Sequence, residues 1–434
     1  MIKTVSPVSL SGTLAVMPSK SASHRAVMMA AMAGGQTRLA PLQLSKDIQA
    51  TLDCAQALGL IDAPEILPHQ TPGFVSVRIH GGQSVMGGGL RTLDCGESGS
   101  TLRFFIPLAL DGRGPVRFVG HGRLMQRPLD VYESLFKPLG IRWALDESSL
   151  TVEGKLTSGE YHIPGDVSSQ FITGLLLALP RLEGDSILHI TTRLESRAYV
   201  ELTRRVQQSF GVTSHWKDDG QTLFIPGNQK MISPIHAHVE SDWSHAAFYL
   251  VAGAIGSAGM IRLTGLDLDS AQGDRAILHI LEQMGAVLCH ETDSVTVCSS
   301  RLRAVHVDAS QIPDLVPILA VAMAAAEGES RITGAARLRI KESDRLRAMH
   351  AALSAAGADV TELEDGLIIR GGKPLHAAHI DGCNDHRIVM SMAIAAAISS
   401  GSLTISDAQA VAKSAPAFWE EYASLGGQAE EAAT

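Results

Sequence analysis

Basic and hydroxyl side chains are gathered where apolar helices are expected to begin. The segment from Lys20 to Arg25 (KSASHR) comes directly before a run of alanine, valine and methionine, and Ser168 and His386 stand before similar runs. The N-terminus of a helix presents unpaired N–H groups and a partial positive charge, so it attracts anions. Lysine, arginine and serine side chains add further hydrogen-bond donors. The sequence therefore predicts helix starts that bind phosphate or carboxylate groups.

Each of these helix starts also has a purely structural interpretation. A serine before an apolar helix commonly serves only as an N-cap. Arg345, which has Asp344 and Arg347 beside it, fits a solvated helix face as well as a ligand site, and Asp385 before His386 fits an ordinary cap. Because several basic helix starts recur in one acidic chain, we favour the anion-binding interpretation.

Few carboxylates are placed to move protons. Asp314 follows Pro313 at the expected start of a helix, where it is either a plain N-cap or a general base. Glu342 lies next to Lys341 and three residues before Arg345, a setting in which neighbouring charges change the pKa of a carboxyl group. The motifs of zinc proteases, P-loop enzymes and dinucleotide-binding proteins do not occur in the sequence. We therefore expect acid–base chemistry on an anionic substrate.

The helix starts belong to a pattern that recurs along the chain. A polar tip leads into an apolar run, a glycine-containing turn and a β-branched strand, and the six tips begin at Lys20, Glu97, Ser168, Ser241, Ile312 and Asn384. An apolar run that ends in glycine predicts a buried helix. Amphipathic segments between the runs, such as 47–58 and 343–356, predict surface helices. The expected fold class is α/β with a repeated unit, and the polar tail 428–434 is expected to fray.

Composition indicates a folded protein of more than one domain. The chain has 434 residues, of which 45% are hydrophobic and 19% charged, so intrinsic disorder is excluded. A net charge of −9 argues against a nucleic-acid partner, although ten lysines and 26 arginines leave room for local basic sites. The five cysteines form no C-x-x-C pair, and neither a signal peptide nor a membrane span is indicated. We therefore expect a cytoplasmic protein with no membrane partner.

A series of short motifs runs in order along almost the whole chain. They are Lys20-Ser-x-Ser-x-Arg25, Asp94-Cys-Gly-Glu-Ser-Gly-Ser-Thr-Leu-Arg103, Arg123-x-x-x-Arg-Pro128, Gly165-Asp-Val-Ser-Ser-Gln170, Ile312-Pro-Asp314, Leu338-Arg-x-Lys-Glu-Ser-Asp-Arg345, Asp385-His-Arg387 and Lys413-Ser-x-Pro416. Each motif alone is weak, but the set in this order resembles the motif series of the 5-enolpyruvylshikimate-3-phosphate synthase family.

The resemblance implies the enolpyruvyl transferase fold of two similar domains. Each domain would contain three β-α-β-α-β-β units around parallel buried helices, in an arrangement known as an inside-out α/β barrel. Residues 20–239 would form an inserted domain on the shikimate 3-phosphate side. Residues 1–19 with 240–434 would form a discontinuous domain on the phosphoenolpyruvate and catalytic side. The active site would lie in the interdomain cleft of a monomer.

The resemblance also implies the reaction and its residues. Such an enzyme transfers the enolpyruvyl group of phosphoenolpyruvate to the 5-hydroxyl of shikimate 3-phosphate through a tetrahedral intermediate, releases phosphate and uses no cofactor or metal. Shikimate 3-phosphate would contact Lys20, Ser21, Arg25, Ser168, Ser169, Gln170, Ser196, Asp314 and Lys341, with Tyr199 nearby. Phosphoenolpyruvate would contact Lys20, Gly99, Arg127, Gln170, Arg345, Arg387 and Lys413. The catalytic residues would be Asp314 as base toward the 5-hydroxyl, Glu342 for proton transfer at the methylene carbon, and Lys20, with His386 in support.

Some positions depart from the family pattern. Glu97 stands where the family usually has asparagine, and Ser100 stands where threonine is common. An added carboxylate weakens anion binding unless it pairs with an arginine. Two alternatives stay open at this point. One is an enolpyruvyl transferase of UDP-N-acetylglucosamine, although its reactive cysteine has no counterpart in 120–128. The other is a catalytically silent anion-binding protein of the same fold.

Overall fold

The chain folds into two compact units. The computed structural model describes residues 1–83, 89–257 and 259–432. Unit 1 combines Met1–Ser19 with Glu240–Thr434, and unit 2 is the continuous stretch Lys20–Val239. Every sheet takes all of its strands from a single unit, so each unit builds its own sheets.

The described residues form six four-stranded sheets that share one topology. The strands in chain order are β1 (Lys3–Val5), β2 (Gly12–Ala15), β3 (Gly35–Leu42), β4 (Glu65–Pro68), β5 (Val75–Gly81), β6 (Arg91–Asp94), β7 (Val116–Val119), β8 (Arg142–Leu145), β9 (Ser149–Glu153), β10 (Glu160–Ile163), β11 (Ser186–Ile190), β12 (His215–Trp216), β13 (Thr222–Ile225), β14 (His236–His238), β15 (Met260–Thr264), β16 (Val287–His290), β17 (Ser294–Cys298), β18 (His306–Asp308), β19 (Gly328–Thr333), β20 (Asp359–Leu363), β21 (Gly366–Gly371), β22 (Ala378–Ile380), β23 (Leu403–Ile405) and β24 (Ala429–Glu431).

The order of strands shows the repeat directly. Unit 1 contains the sheets β2-β15-β17-β16, β18-β19-β21-β20 and β22-β23-β1-β24, and unit 2 contains β14-β3-β5-β4, β6-β7-β9-β8 and β10-β11-β13-β12. In every sheet the first pair is parallel. The other pairs are antiparallel. The repeated βα units are confirmed. The resemblance implied an inside-out α/β barrel. In the described part of the chain the strands form no closed barrel, because the two outer strands of each sheet pair with only one other strand.

Two kinds of helix accompany the sheets. The helices are α1 (Lys20–Met32), α2 (Lys46–Ala57), α3 (Gly99–Ala109), α4 (Asp130–Phe136), α5 (Ser169–Ala178), α6 (Arg197–Ser209), α7 (Trp243–Ile255), α8 (Ile277–Gln283), α9 (Val316–Ala325), α10 (Arg345–Ala355), α11 (His386–Ala395) and α12 (Phe418–Ser424). The odd-numbered helices are buried almost throughout because they are apolar on nearly every side. They coincide with the six predicted apolar runs. The predicted amphipathic segments are confirmed as α2 and α10, which bury one face each.

Short polar side chains fix where several helices begin. The hydroxyl of Ser98 accepts the N–H of Thr101 at 3.2 Å before α3, and Asp242 accepts the N–H of His245 at 2.9 Å before α7. A cap of this kind stabilises a helix by about 1 kcal/mol. The caps therefore also fix the positions of the side chains in the first turn, where the candidate ligands lie.

The C-terminal tail is ordered where fraying was expected. Strand β24 pairs antiparallel with β1, with Val5 opposite Ala429 and Lys3 opposite Glu431. The expectation was wrong because a polar tail can still pair through its backbone with a distant strand. Residues 433 and 434 lie outside the described residues. Among the helices described, not one has the length and apolar character that crossing a membrane requires.

Candidate active site

A buried arginine in unit 1 is surrounded by three carboxylates. Arg345 begins α10 and is 2% exposed. Its guanidinium donates to Asp314 Oδ1 at 3.0 Å, to Glu342 Oε2 at 2.8 Å and to Asp385 Oδ2 at 2.8 Å. Burial alone would lower the pKa of Arg345, but the carboxylates raise it above its usual range. The interpretation of Arg345 as part of a solvated helix face is therefore wrong. We call Arg345 and its three partners, Asp314, Glu342 and Asp385, the carboxylate cluster.

Asp314 lies in a 3-10 turn and is not a helix N-cap. The turn Pro313–Leu315 precedes α9, which begins at Val316. Asp314 Oδ2 is 3.3 Å from Arg387 Nη2, and the backbone oxygen of Asp314 accepts from Arg387 Nη1 at 2.9 Å. Burial alone would raise the pKa of the Asp314 carboxyl, but the charges of Arg387 and Lys341 lower it well below its usual range. Asp314 is therefore an ionised carboxylate held by two arginines.

Lys341 and Glu342 lie in the loop between the 3-10 helix Ala336–Ile340 and α10. Burial lowers the pKa of Lys341 to about 8, against the opposing charges of Asp314 and Glu342. An amine with a pKa close to neutral can both give and take a proton. Lys341, which was predicted only to bind substrate, is therefore also suited to move protons.

Asp385 belongs to one of the sequence motifs, and the only role considered for it was that of an ordinary helix cap. It is fully buried and is the N-cap of α11, where it accepts the N–H of Arg387 at 2.9 Å and the hydroxyl of Ser343 at 3.0 Å. Its two oxygens also contact Nε and Nη2 of Arg345, at 2.8 and 3.3 Å. The available signal was an aspartate directly before a helix start. Its contact with Arg345, 40 residues away, could not be seen in the sequence.

A second buried aspartate interacts with the cluster. Asp274 is 3% exposed and accepts a hydrogen bond from the hydroxyl of Ser244, while its Oδ1 has no hydrogen-bond partner among the described residues. Burial, followed by the negative charge of Asp314, raises the pKa of Asp274 to about 7. Asp274 is therefore only partly ionised at neutral pH. The sequence around Asp274 does not predict its burial or its raised pKa, because a Gly-Asp-Arg segment is usual at the surface as well.

The remaining predicted basic residues of unit 1, Arg387, Lys413 and His386, lie in or contact the turn before α11. Arg387 is the second residue of α11 and is 7% exposed. Lys413, which is 6% exposed, donates to the carbonyl oxygen of Asn384 at 2.6 Å. His386 is buried, with its Nδ1 3.8 Å from Asp385 Oδ1. The structure therefore brings Arg387, Lys413 and His386 to one short segment, 384–387.

The start of α1 in unit 2 holds a lysine and a buried arginine. Lys20 pairs with Asp47 at 3.0 Å, a partner that the sequence placed only on a surface helix. Arg25 is 3% exposed and donates to the hydroxyl oxygens of Thr203 at 2.8 Å and Thr173 at 3.2 Å. Burial lowers the pKa of Arg25 to about 10, so the guanidinium stays charged at neutral pH. Both predicted cations are held by other residues of unit 2.

Gln170 is held by both ends of its amide. Its Oε1 accepts from Arg103 Nη1 at 2.7 Å, and its Nε2 donates to the hydroxyl of Ser100 at 3.0 Å. Ser168 caps α5 by accepting the N–H of Gln170 at 3.3 Å. Ser100, one of the departures from the family pattern, therefore helps to orient a predicted ligand.

The guanidinium of Arg127 lies against the start of α3. A Cβ added at Gly99 would be 2.7 Å from Arg127 Nη1, a distance that real Cβ contacts do not show. Glu97, the other departure from the family pattern, has its carboxylate beside Gly122, where an added Cβ would be 2.6 Å from Oε2. Close packing at Gly99 therefore depends on the absence of a side chain.

The remaining hydroxyl ligands predicted for unit 2 lie at three helix starts. Ser21 is the second residue of α1, Ser169 is the first of α5, and Ser196 directly precedes α6. Ser196 has a φ of 55°, a left-handed conformation that is uncommon for serine. Tyr199, in the first turn of α6, accepts a hydrogen bond from Arg25 through its carbonyl oxygen at 3.2 Å. The second turn of α1 is thus joined to the first turn of α6.

Solved structures of enolpyruvyl transferases share this fold. NikO, an enolpyruvyl transferase from Streptomyces tendae, matches 99% of this chain and 98% of its own with a TM-score of 0.79, at 18% identity. EPSP synthase from Acinetobacter baumannii matches 99% of this chain and 100% of its own with a TM-score of 0.80, at 27% identity. The fold is therefore that of the enolpyruvyl transferases.

Sequence relatives define the family within this class. Residues 5–422 match the family model of EPSP synthase (3-phosphoshikimate 1-carboxyvinyltransferase). The proteins named 3-phosphoshikimate 1-carboxyvinyltransferase from Clostridium novyi (strain NT) and Clostridium kluyveri are 43% and 41% identical, over 98% and 99% of this chain and 97% and 98% of their own. The chain belongs to the EPSP synthase family, as its motifs predicted. Neither the UDP-N-acetylglucosamine enzyme nor a silent binding protein fits these findings.

Proposed function

We propose that the chain is a 3-phosphoshikimate 1-carboxyvinyltransferase. It transfers the 1-carboxyvinyl group of phosphoenolpyruvate to the 5-hydroxyl of shikimate 3-phosphate and releases phosphate, a step towards chorismate and the aromatic amino acids. Family membership supports the reaction. The observation that carries the proposal is the ionised Asp314 of the carboxylate cluster, accompanied by Lys341 with its pKa of about 8.

Unit 1 supplies the groups that move protons in this proposal. As the 5-hydroxyl adds to C2 of phosphoenolpyruvate, Asp314 accepts the hydroxyl proton, and Glu342, which enters this step protonated, delivers a proton to C3. A carboxyl whose pKa lies well below its usual range holds a proton weakly, so Asp314 passes it on. Lys341 in its neutral form is suited to receive it, because burial lowers the pKa of its ammonium to about 8. Phosphate then leaves the tetrahedral adduct as the Glu342 carboxylate takes a proton back from C3. The proton that Lys341 received passes to the departing phosphate, which returns all three residues to their starting states.

Cations at the helix starts stabilise the anionic substrates and the departing phosphate. Arg345 contributes little new bonding, because carboxylates accept from Nε, from one N–H of Nη1 and from both N–H groups of Nη2. One N–H of Nη1 remains for phosphoenolpyruvate. We therefore assign most of its binding to Lys20, Gly99, Arg127 and Gln170 of unit 2 and to Arg387 and Lys413 of unit 1.

Unit 2 supplies the groups that bind shikimate 3-phosphate. They lie at the starts of α1, α5 and α6, where backbone N–H groups add to the side-chain donors. The proposed ligands in this unit are Lys20, Ser21, Arg25, Ser168, Ser169, Gln170 and Ser196. Asp314 and Lys341 of unit 1 complete the set at the reacting hydroxyl.

The assay for the reaction is phosphate release with each substrate alone and with both. We expect turnover only when phosphoenolpyruvate and shikimate 3-phosphate are present together. Turnover with UDP-N-acetylglucosamine in place of shikimate 3-phosphate, or none with any acceptor, would remove the proposal. We further propose that the enzyme is a cytoplasmic monomer. Light scattering coupled to gel filtration tests the oligomeric state.

The acid–base roles are tested by Asp314→Ala and Glu342→Ala. We expect kcat to fall by about 10²- to 10⁴-fold, the usual contribution of a general acid or base, while the Kd of shikimate 3-phosphate changes much less. The control is Glu329→Gln, because Glu329 is an exposed carboxylate of unit 1 whose described ion-pair partner is Arg370. An unchanged kcat in both test variants would exclude their acid–base roles.

A further inference from the structure

Two histidines and a glutamate share the exposed face of one sheet in unit 2. Glu160 and His162 are exposed on β10, whereas Tyr161 and Ile163 between and after them are buried. His189 on the parallel strand β11 is the direct cross-strand partner of His162. Side chains two residues apart on a strand, and cross-strand partners, project from the same face. The three side chains therefore meet because of strand register.

The ligand atoms of these residues are close enough to share one ion. One nitrogen of each histidine and one carboxylate oxygen of Glu160 all lie within 4.8 Å of one another. His189 Nε2 is 3.5 Å from Glu160 Oε2, too long for a good hydrogen bond, and it has no hydrogen-bond partner among the described residues. Two ligands of a tetrahedral Zn²⁺, each about 2.1 Å from the ion, are about 3.4 Å apart. The observed separation is close to that value.

A hydroxyl lies near the second ring nitrogen of His189. The hydroxyl of Thr222 donates to Asp219 Oδ2 at 2.6 Å, and its oxygen lies 3.5 Å from His189 Nδ1, at the outer limit of a hydrogen bond. A proton on Nδ1 leaves the lone pair on Nε2, the atom that faces Glu160. Histidine ligands of metal ions are commonly oriented by such a contact to the second ring nitrogen.

The imidazole rings of His162 and His189 are stacked face to face, with centroids 4.6 Å apart and an angle of 11° between their planes. A nitrogen lone pair lies in the plane of its ring, so one ring turns about its side-chain bonds when both nitrogens bind the same ion. Two protonated imidazoles at this distance would repel each other, whereas two neutral rings beside a carboxylate provide two nitrogen donors and one oxygen donor. Nitrogen donors select zinc-like transition metals, because Mg²⁺ and Ca²⁺ prefer sites made of oxygen alone.

We propose that Glu160, His162 and His189 bind one divalent transition-metal ion of the Zn²⁺, Ni²⁺ and Cu²⁺ class. None of the three belongs to the residues proposed for substrate binding or catalysis. The ion would link β10 to β11, and water would complete its coordination. An ion that binds the folded state and not the unfolded state stabilises the protein by mass action.

Binding is tested by titrating Zn²⁺ alone into the full-length, chelator-treated protein in a calorimeter. We expect one equivalent to bind and to raise the unfolding temperature, and we expect the same concentration of Mg²⁺ to produce neither effect. Electron paramagnetic resonance of the protein with one equivalent of Cu²⁺ should show hyperfine coupling to two imidazole nitrogens. No stoichiometric Zn²⁺ binding, or Cu²⁺ without nitrogen coupling, would overturn the proposal.

Variants assign the ion to this cluster. Glu160→Gln, His162→Ala and His189→Ala should each weaken Zn²⁺ binding by more than about tenfold, the smallest usual effect of removing even an outer contact. His215→Ala is the matched control, because His215 is an exposed histidine on β12 of the same sheet and lies outside the cluster. Equal affinity in the control and in the three variants would place the ion elsewhere and refute the proposal.

Discussion

Replacing Asp385 with asparagine should remove one buried charge from the carboxylate cluster and leave the helix cap in place. Asparagine keeps an oxygen that can accept the N–H of Arg387, now 2.9 Å from Asp385 Oδ1, and asparagine and aspartate are equally good N-caps. The charge opposite Arg345 is lost, together with the contacts that Oδ2 accepts from Arg345 Nε at 2.8 Å and from the Ser343 hydroxyl at 3.0 Å. Because Asp385 is fully buried, water cannot take over these contacts.

The expected cost follows from those two contacts. A hydrogen bond to a charged group contributes about 1.5–3 kcal/mol, and removing one partner of a buried ion pair costs about 3–5 kcal/mol. Arg345 keeps Asp314 and Glu342, so its charge stays compensated and the lower end of the range applies. We therefore expect Asp385→Asn to lower the free energy of unfolding by about 3 kcal/mol.

Asp344→Asn is the matched control for this experiment. Asp344 is the N-cap of α10, where it accepts the N–H of Arg347 at 3.1 Å, and it pairs with Arg339 at 3.0 Å. Unlike Asp385, its side chain is 28% exposed. Ion pairs in contact with solvent contribute about 0–1 kcal/mol, so this variant should lose that much or less.

Urea unfolding followed by circular dichroism measures both changes at pH 7. Burial alone would raise the pKa of Asp385, but Arg345 lowers it below its ordinary value, so the stabilising contribution is present above about pH 4 and is lost as the pH falls. The difference between wild type and Asp385→Asn should therefore shrink in acid. Equal losses in the two variants, or a loss below about 1 kcal/mol for Asp385→Asn, would show that this charge does not hold Arg345.

Two further variants test the buried aspartate and the packed glycine. Because the pKa of Asp274 is raised to about 7, the folded state keeps a proton that the unfolded state releases above about pH 4, and stability falls as the pH rises between these values. Asp274→Asn should remove this fall in stability and be more stable than wild type by about 4 kcal/mol at pH 8. Thermal unfolding of both proteins at pH 5 and 8 measures the difference. The same change in stability with pH in the variant and in wild type would contradict the prediction. Gly99→Ala should displace the Arg127 guanidinium and raise KM for phosphoenolpyruvate more than for shikimate 3-phosphate in steady-state kinetics. Gly34→Ala is its control, because a Cβ there meets nothing within 4 Å, and equal kinetics in both variants would refute the packing argument.

The helices could be predicted and much of the strand pairing could not. An apolar run closed by glycine marks a buried helix locally, and the amphipathic segment 47–58 lies within two residues of α2, Lys46–Ala57. Strand pairing depends on contacts distant in sequence. The polar segment Ala429–Glu431 becomes a strand only because β1 offers it a free edge, and nothing in its own residues indicates that.

The types of the site residues could be predicted, but their partners could not. Lysine, arginine and serine at helix starts indicate anion binding from residue type and position alone. The same residues do not show that Arg345 is buried among three carboxylates, or that Asp385 is both a cap and an ion-pair partner. Asp274 was missed because a pKa raised by burial depends on neighbours that only the folded chain brings together.

The strand pairing of unit 1 affects the order in which a ribosome can release folded protein. All strands of unit 2 find their partners within residues 20–239, so this unit can fold while the rest is being translated. Strand β1 precedes unit 2 in the chain but pairs with β23 and β24, which follow unit 2. The edges of β1 therefore stay unpaired until β23 and β24 have been translated, so its sheet is completed only after all of unit 2 has been made.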